Sequence, residues 1–259
     1  MKIAVVQMEI RDGDPETNRR TVTGYLDHTP GCDLYLLPEL WTSGYMHRSW
    51  GTIAGQDTPA TMEWMGRQAA ERGIFLGGSI ISEDSDGGLV NRFVLFDREG
   101  KLACRYDKSH LFKPLEEHEW LQAGLEMPPV VVIDGFRVSP AICYDLRFPE
   151  MFRRIALEGV DLFLVASEWP VPREHVLRVL SECRAIENQA ILALSNRIGA
   201  DLQGNLFCGD SGVFGPTGAI ADAGQSRGVT VADVDLKTLL DSRRFLGVFD
   251  DRARGIDYL

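Results

Sequence analysis

The sequence predicts an α/β protein in which helices cover the outer faces of mixed β-sheets. Short apolar stretches of β type alternate along the chain with amphipathic helical stretches. The helices flank β-hairpins as often as they join strands directly, which favours mixed sheets over a purely parallel, doubly wound sheet. The 259 residues contain no repeat, low-complexity tract or Ser/Gly-rich linker, so we expect a single domain over residues 1–259.

The N-terminal half predicts strand and helix units that lead into a β-hairpin. The predicted strands are residues 2–8, 33–37, 74–82, 89–97 and 102–106. The predicted helices are residues 15–28 and 58–72, the second with Pro59 in its first turn and Gly73 just past its end. Turn signals at residues 86–88 and 98–100 separate the last three strands and indicate a hairpin followed by a further strand.

The C-terminal half predicts a pair of strands followed by helix and strand units. The predicted strands are residues 130–133, 136–142, 162–166, 190–194, 212–214 and 228–234. The predicted helices are residues 149–158 and 173–188. The dipeptide Asp134-Gly135 supplies the turn between the first two of these strands.

Composition and charge exclude several classes of protein. The formal net charge is −11 with no basic run, which argues against nucleic acid or an anionic membrane as a partner. No apolar run approaches the ~20 residues of a membrane span, and the N-terminal apolar stretch is too short for a signal sequence. The 5 cysteines are irregularly spaced and form no metal-binding pattern, so we expect free thiols, a cytoplasmic protein and no metal. Neither a GxGxxG nor a GxxxxGK[ST] motif is present, and we expect no cofactor.

Three residues of catalytic type follow predicted strands, where α/β sheets build their sites. Glu39 comes directly after a buried strand, and Lys108 follows another strand with aromatic and apolar residues on both sides. Cys143 stands at a transition from strand to helix, where the helix start and a neighbouring lysine are expected to lower the pKa of its thiol. Taken singly, each also has an ordinary interpretation as a solvated glutamate, a surface lysine or a buried thiol.

The segments around these residues resemble, in order, the signature motifs of the nitrilase superfamily of carbon–nitrogen hydrolases. They are LPE ending at Glu39, YDKSHLF around Lys108 and ICYDLRFPE around Cys143. Further matches are SNR at residues 195–197 and CRAIENQ at residues 183–189, where the family commonly begins with alanine. The resemblance covers nearly the whole chain. It implies a four-layer αββα sandwich that assembles as αββα–αββα dimers or larger homo-oligomers, with the C-terminal tail (about residues 240–259) at a subunit interface.

The resemblance also implies a role for each residue in the hydrolysis of a small-molecule amide. Cys143 would be the nucleophile, Glu39 the general base and Lys108 the group that stabilises the tetrahedral intermediate together with the backbone N–H of Tyr144. The family often has a second glutamate beyond the lysine. Glu117 matches that element best, and Glu116 and Glu119 are the alternatives.

Further segments resemble the ω-amidase branch of the family, which includes enzymes found with bacterial methionine salvage. They are PELWTSGY, the pair EH at residues 117–118, SEWPVPR and VFDD. Members of that branch release ammonia from 2-oxoglutaramate, whose carboxylate requires a cation with fork geometry. Arg147 is the candidate, and a structural arginine that pairs with Asp145 or Glu150 is the alternative. Tyr45 and Trp169 are expected to line the pocket or to be core aromatics, and the second interpretation is favoured for Trp169.

Other functions stay open at this point. The chain could be an amidase for aliphatic or N-carbamoyl amides. A Cys–His hydrolase that uses His110, His118 or His175 would leave the glutamate and the lysine without a role. A non-catalytic binding partner of the same fold should have lost a residue of the triad, and all three are present.

Overall fold

The computed structural model describes residues 1–253 and Ile256, and part of the C-terminal tail predicted to lie at a subunit interface falls outside this range. The strands of the N-terminal half are β1 (Lys2–Gln7), β2 (Leu34–Leu36), β3 (Phe75–Glu83), β4 (Leu89–Phe96) and β5 (Leu102–Asp107). Those of the C-terminal half are β6 (Val131–Ile133), β7 (Phe136–Ile142), β8 (Leu162–Ser167), β9 (Ile191–Asn196), β10 (Ile198–Ala200), β11 (Leu206–Cys208), β12 (Gly212–Gly215), β13 (Gly218–Asp222) and β14 (Gly228–Asp233).

The α-helices lie between these strands and after the last of them. They are α1 (Pro15–His28), α2 (His47–Thr52), α3 (Thr58–Arg72), α4 (Glu117–Trp120), α5 (Pro149–Leu157), α6 (Glu174–Glu187) and α7 (Leu236–Phe245). A π-helical segment, Ile53–Asp57, joins α2 to α3, and short 3₁₀ turns occupy Lys113–Leu115, Cys143–Arg147 and Val171–Arg173. Among the described residues, no helix is both long enough and apolar enough to cross a bilayer.

Two six-stranded mixed sheets form the centre of the structure, as the sequence predicts. The first has the strand order β14-β1-β2-β3-β4-β5, and the second has the order β13-β12-β9-β8-β7-β6. Strands β1, β2 and β3 are parallel, as are β7, β8 and β9, whereas the outer strands of both sheets are added antiparallel. Parallel strands buried on both faces have the near-continuous apolar sequences seen in β1 and β8.

The layers follow from which side chains share a core. Val5 and Leu36 of the first sheet belong to the same buried cluster as Val138 and Leu164 of the second, so the two sheets pack face to face. A second cluster joins the outer face of the first sheet to α1 and α3. On the outer face of the second sheet, α5 packs through an aromatic pair, Phe152 and Phe163, whose centroids are 5.0 Å apart. The αββα layering implied by the resemblance is therefore confirmed.

Local sequence signals explain the boundaries of the two helices that cover the first sheet. The Asp14 side chain caps α1 by accepting the backbone N–H of Thr17, with Pro15 in the first position. Helix α3 ends at Gly73, whose φ of 64° is the left-handed conformation typical of a C-terminal cap. These signals are local to the chain, which is why the bounds of both helices agree with the prediction from sequence.

The carboxyl ends of four strands lead to the charged and nucleophilic residues. Glu39 follows β2, and Lys108 follows β5 in the same sheet. Cys143 follows β7 and Glu168 follows β8 in the facing sheet. The site is thus assembled from both sheets, and its geometry depends on how they pack.

Candidate active site

A buried trio of charged side chains forms the centre of the site. The Lys108 Nζ atom is 2.7 Å from Oε1 of Glu39 and 2.7 Å from Oε1 of Glu117, and all three side chains have no exposed surface. Two carboxylates thus share one ammonium group away from water. A buried charge is tolerated only when it is paired in this way.

The electrostatics of the trio keep the lysine charged. Burial alone would lower the pKa of Lys108, but the charges of Glu117 and Glu39 raise it well above its ordinary value. Burial raises the pKa of Glu117, while Lys108 opposes that rise. The lysine therefore acts as a fixed cation and a hydrogen-bond donor, and it is unsuited to accept a proton.

Glu117 is the buried member among the three candidate glutamates of its segment, since Glu116 and Glu119 are exposed. Its Oε1 also accepts the hydroxyl of Tyr45 at 2.6 Å, and its Oε2 accepts the backbone N–H of Phe112 at 2.6 Å. These bonds fix the carboxylate behind Lys108.

Glu39 is oriented on both of its oxygens. Oε1 accepts the side-chain amide of Asn91 at 2.8 Å as well as the ammonium of Lys108, and Oε2 accepts the backbone N–H of Glu168 at 2.9 Å. The last bond crosses from one sheet to the other, so it fixes the carboxylate relative to the strand that precedes Glu168.

Cys143 lies at the end of β7 with a φ of 45°, a conformation that residues other than glycine rarely adopt. Burial raises the pKa of its thiol well above the ordinary value, Glu39 adds to the rise, and Lys108 opposes it. The expectation that a helix start and a lysine lower this pKa was wrong, because burial and the carboxylate outweigh the single ammonium. The resting thiol is neutral and needs a base to become a nucleophile.

The turn that carries Cys143 is held by the buried Asp145. Its Oδ2 accepts the backbone N–H of Ile142 and the hydroxyl of Tyr106, both at 2.9 Å, and its Oδ1 lies 2.7 Å from Nδ1 of His110. The His110 ring stacks on Phe148 with centroids 3.5 Å apart. His110 therefore supports the turn, and no described contact of this ring supports its use as the base of a Cys–His pair.

A small cavity opens beside the thiol. Most of its walls are aromatic or apolar, and two charged residues complete them. It is lined by Phe112, Cys143, Tyr144, Glu168, Trp169, Pro170 and Arg173.

The structure distributes the predicted substrate-binding residues unevenly around this cavity. Tyr144 and Trp169 line it, and Trp169 is also a buried member of the core between the sheets, the interpretation favoured from sequence. Tyr45 is buried behind Glu117 and is not among the lining residues, so its prediction as a pocket residue is not supported by this cavity. Arg147 is exposed, with its guanidinium carbon 5.3 Å from the ring centroid of Trp169, and no described ion pair joins it to Asp145 or Glu150.

Two charged residues of the cavity were missed by the prediction from sequence. Glu168 and Arg173 both lie in the segment SEWPVPR, which directly follows the buried strand β8. That position after a central strand was the available signal, the same one that indicated Glu39. The amino-acid sequence of the segment does not indicate that both side chains reach the cavity, because their positions depend on the 3₁₀ turn Val171–Arg173.

Metal binding finds no support in the part of the chain that the structure describes, where no group of three His, Cys, Asp or Glu side chains could hold an ion. The described cysteines are all free thiols.

Comparisons with known proteins find relatives over nearly the whole chain. The family model described as carbon–nitrogen hydrolase matches residues 2–244. The 2-oxoglutaramate amidase of Bacillus subtilis (strain 168) is 32% identical over 251 residues, which cover 96% of this chain and 96% of the relative. An omega-amidase of Escherichia coli (strain K12) is 35% identical over 236 residues, which cover 91% of this chain and 90% of the relative.

Solved structures are similar over nearly the whole chain. A carbon–nitrogen hydrolase superfamily protein of Xanthomonas campestris, with an arsenic adduct in its active site, has a TM-score of 0.89 and 30% identity, and the match covers 99% of each chain. A mutant amidase of Nesterenkonia sp. AN1, in which acrylamide has added to the active-site cysteine, has a TM-score of 0.84 and 30% identity. That match covers 95% of this chain and 98% of the amidase.

Proposed function

The chain belongs to the carbon–nitrogen hydrolase family, and on that premise we propose that it is a cysteine amidase for a short ω-amide of a dicarboxylic acid, of the 2-oxoglutaramate type. The products are ammonia and the corresponding acid. The observation that carries the proposal is the thiol of Cys143, which lines a cavity and lies close enough to Glu39, Lys108 and Glu117 for their charges to act on it. The relatives named 2-oxoglutaramate amidase and omega-amidase support the substrate class.

Acylation requires a proton acceptor for the thiol. As the Cys143 sulfur attacks the amide carbon, Glu39 takes the thiol proton and the carbonyl oxygen becomes an oxyanion. The charged Lys108 and the backbone N–H of Tyr144 stabilise this oxyanion, a contribution of about 2.7–4 kcal/mol per donor. Glu117 acts through Lys108 by holding the ammonium in place.

Collapse of the tetrahedral intermediate releases ammonia. Glu39 returns its proton to the amide nitrogen, the carbon–nitrogen bond breaks, and the acyl group stays on Cys143 as a thioester. Water then attacks the thioester while Glu39 accepts a proton from it, and the free acid leaves with the thiol restored. The cycle needs no group beyond these side chains, the backbone and water.

The carboxylate of the substrate would bind a cationic side chain. Arg147 remains our proposed partner for the substrate carboxylate, and it lies over the Trp169 ring that lines the cavity. Arg173 lines the cavity itself, with its guanidinium carbon 5.2 Å from the Phe112 centroid. Neither arginine is paired with a carboxylate among the described residues, so both guanidinium groups are available to a carboxylate of the substrate.

A general amidase for neutral aliphatic amides is the second candidate function. The aromatic and apolar walls of the cavity favour it, since Phe112, Trp169 and Pro170 offer no charge to a substrate. An N-carbamoyl amide would have to place a further N–H group against the same walls. A non-catalytic binding role is disfavoured because the buried charged trio and the thiol are all in place.

Ammonia release from a panel of amides tests the proposed substrate class. The panel contains 2-oxoglutaramate, glutamine, asparagine, N-carbamoyl-β-alanine and the neutral butyramide. We expect the highest kcat/KM for 2-oxoglutaramate. A higher value for butyramide would establish the second candidate, and no ammonia from any amide would refute an amidase function.

The assembly and location of the protein are part of the same proposal. We propose a homodimer or a larger homo-oligomer in the cytoplasm that acts without nucleic acid, membrane, metal or cofactor. The exposed apolar side chains of Phe245 and Leu246, 93% and 55% accessible, support a subunit interface near the C-terminal tail.

A further inference from the structure

Glu168 has a buried carboxylate oxygen for which the protein supplies no partner. The residue is 1% exposed, and its Oε2 accepts a guanidinium N–H of Arg197 at 2.8 Å. Its Oε1 is buried and has no hydrogen-bond partner among the described residues. Glu168 lines the same cavity as Cys143, and its carboxyl group lies close enough to Glu39 for the two charges to interact.

The ion pair with Arg197 does not account for this carboxylate. Arg197 is also paired with Asp12 at 2.9 Å, and its Nη2 donates to the backbone carbonyls of Ile10 and Ala200 at 3.1 and 3.0 Å, while its buried Nε has no partner among the described residues. One guanidinium therefore faces two buried carboxyl groups, and no donor of Arg197 is hydrogen-bonded to Oε1 of Glu168. A buried acceptor without a donor is costly, and a ligand that donates a hydrogen bond is one way to satisfy it.

We propose that Oε1 of Glu168 accepts an N–H of the substrate's carboxamide and holds the nitrogen that leaves as ammonia. This assignment rests on the proposed amidase function and adds a catalytic residue to it. An amide nitrogen carries two N–H donors and no good acceptor, so a carboxylate oxygen is its natural partner. The guanidinium of Arg173, which also lines the cavity, is then available to the carboxylate of the acyl chain.

The backbone of the same residue links this contact to the proton transfer. The Glu168 N–H donates to Oε2 of Glu39, so one residue fixes the base through its main chain and the leaving nitrogen through its side chain. During collapse, Glu39 gives the nitrogen the proton taken from Cys143, the electrons of the carbon–nitrogen bond move to nitrogen, and NH₃ leaves. The nitrogen gains positive character in this step, so a carboxylate beside it stabilises the transition state more than the bound substrate.

Because Arg197 donates to Oε2, a proton on Glu168 would be carried by Oε1, so a strong contact between Oε1 and an N–H requires the ionised form. Burial raises its pKa to about 8, the charges of Glu39 and Asp12 add to the rise, and Arg197 opposes it. Cys143 and Arg173 are the other titratable or charged groups, besides Tyr144, that line the same cavity. Since the folded pKa is raised, the acceptor form grows as the pH increases through about 8.

The test compares an amide with an ester of the same acyl group. 2-Oxoglutaramate and the ω-methyl ester of 2-oxoglutarate use the same nucleophile, base and oxyanion donors, but only the amide carries an N–H. Glu168→Gln should lower kcat/KM for the amide on the order of 10- to 100-fold and leave the ester nearly unchanged. Arg197 can only donate, so the glutamine oxygen faces Arg197 and the NH₂ group, which cannot accept, faces the substrate.

Asp12→Asn is the matched control, because it removes the other carboxylate from Arg197. Asp12 does not line the cavity, so this variant should lower the melting temperature without lowering the ratio of amide to ester kcat/KM. Because the charge of Asp12 contributes to the raised pKa of Glu168, its removal should shift the rise of that ratio to lower pH. An equal loss for both substrates in Glu168→Gln, or the same selective loss in Asp12→Asn, would make Glu168 structural.

The wild-type enzyme supplies a test that needs no variant. Its ratio of amide to ester kcat/KM should rise with pH through about 8 as Glu168 ionises, since effects on Cys143 and Glu39 are common to both substrates. A ratio that stays flat with pH would overturn the proposal even if Glu168→Gln failed to fold. Failure of the proposed function is a different result, in which the wild type releases no ammonia from any amide.

Discussion

The backbone of Cys143 occupies the left-handed region at the point where β7 ends, and a non-glycine residue there costs on the order of 1 kcal/mol. Three polar contacts to Asp145 in the surrounding turn offset that cost. The result is a thiol turned into the cavity but kept neutral by burial. Nucleophile strength in this site therefore comes from a base during the reaction and not from a resting thiolate.

Replacing the nucleophile should separate Cys143 from the other thiols. Cys143→Ala should abolish ammonia release, whereas Cys183→Ser, at an exposed position on α6, should leave most activity. Cys208→Ser is the buried control, since this thiol is hydrogen-bonded to the carbonyl of Trp169 and does not line the cavity. Mass spectrometry of a trapped acyl-enzyme should place the adduct on Cys143, and an adduct on another cysteine would refute the assignment.

The separate functions of Glu39 and Lys108 lead to different defects. Glu39→Gln keeps the shape of the base but cannot accept the thiol proton, so acylation should fall by about 10²–10⁴-fold or more. Lys108→Ala removes the oxyanion donor and leaves Glu39 and Glu117 facing each other without their shared cation. It should lower kcat and also the melting temperature. Single-turnover kinetics and thermal unfolding of both variants test this, and near-normal kcat/KM in either would refute its role.

The two arginines at the cavity should differ in their effect on substrate choice. Arg147→Lys and Arg173→Lys keep the charge but lose the two parallel hydrogen bonds to a carboxylate. We expect kcat/KM for 2-oxoglutaramate to fall on the order of 10- to 100-fold, with the larger loss in Arg173→Lys because Arg173 lines the cavity. Butyramide, which has no carboxylate, serves as the control substrate. A loss of equal size for butyramide would indicate a structural arginine.

The sequence motifs predicted which residues form the site more successfully than they predicted the environment of those residues. Glu117 was preferred to its neighbours on a two-residue match, and the structure buries it while both neighbours are exposed. The pKa of Cys143 could not be predicted, because it depends on the burial that the facing sheet imposes. The cavity positions of Glu168 and Arg173 were missed for the same reason, since a residue's distance from a site is set by tertiary packing.

At the scale of strands and helices, the prediction from sequence was correct where the signals lie within the element itself. It failed where strands are very short or pair with distant parts of the chain. Strand β7 has the predicted bounds, and the two helices over the first sheet carry their own caps. Strands β10 and β11 have only three residues each, too few for a period to show. Helix α7 was missed, although Asp235 caps its start by accepting the N–H of Thr238.

The turn after β7 gives a prediction at this scale. Asp145→Ala removes the acceptor of the Ile142 N–H and the Tyr106 hydroxyl in a fully buried position, so it should destabilise the protein by about 3 kcal/mol or more. Tyr106→Phe removes one of these bonds and should cost about 1 kcal/mol. Chemical denaturation measures both values. A cost for Asp145→Ala no larger than that of Tyr106→Phe would show that the turn does not depend on this carboxylate.

At the scale of the whole molecule, the site is formed by the packing of two sheets. Glu39 and Lys108 come from one sheet, and Cys143 and Glu168 come from the other. The bond from the Glu168 N–H to Glu39 crosses between the sheets inside the site, at 2.9 Å. The catalytic geometry therefore depends on the packing of the two sheets against each other. A chain that lost this packing would also lose its activity.

The exposed end of α7 gives a prediction about the assembly of the molecule. Phe245 ends α7 with 93% of its surface exposed, which is unfavourable for an aromatic side chain in water unless another surface covers it. If the tail lies at a subunit interface, Phe245→Asp should convert a dimer to a monomer by placing a charge in that apolar contact. Leu202→Asp, at a 67% exposed position between β10 and β11, is the control and should leave the mass unchanged. Light scattering of both variants measures the outcome, and a dimer that persists in Phe245→Asp would place the interface elsewhere.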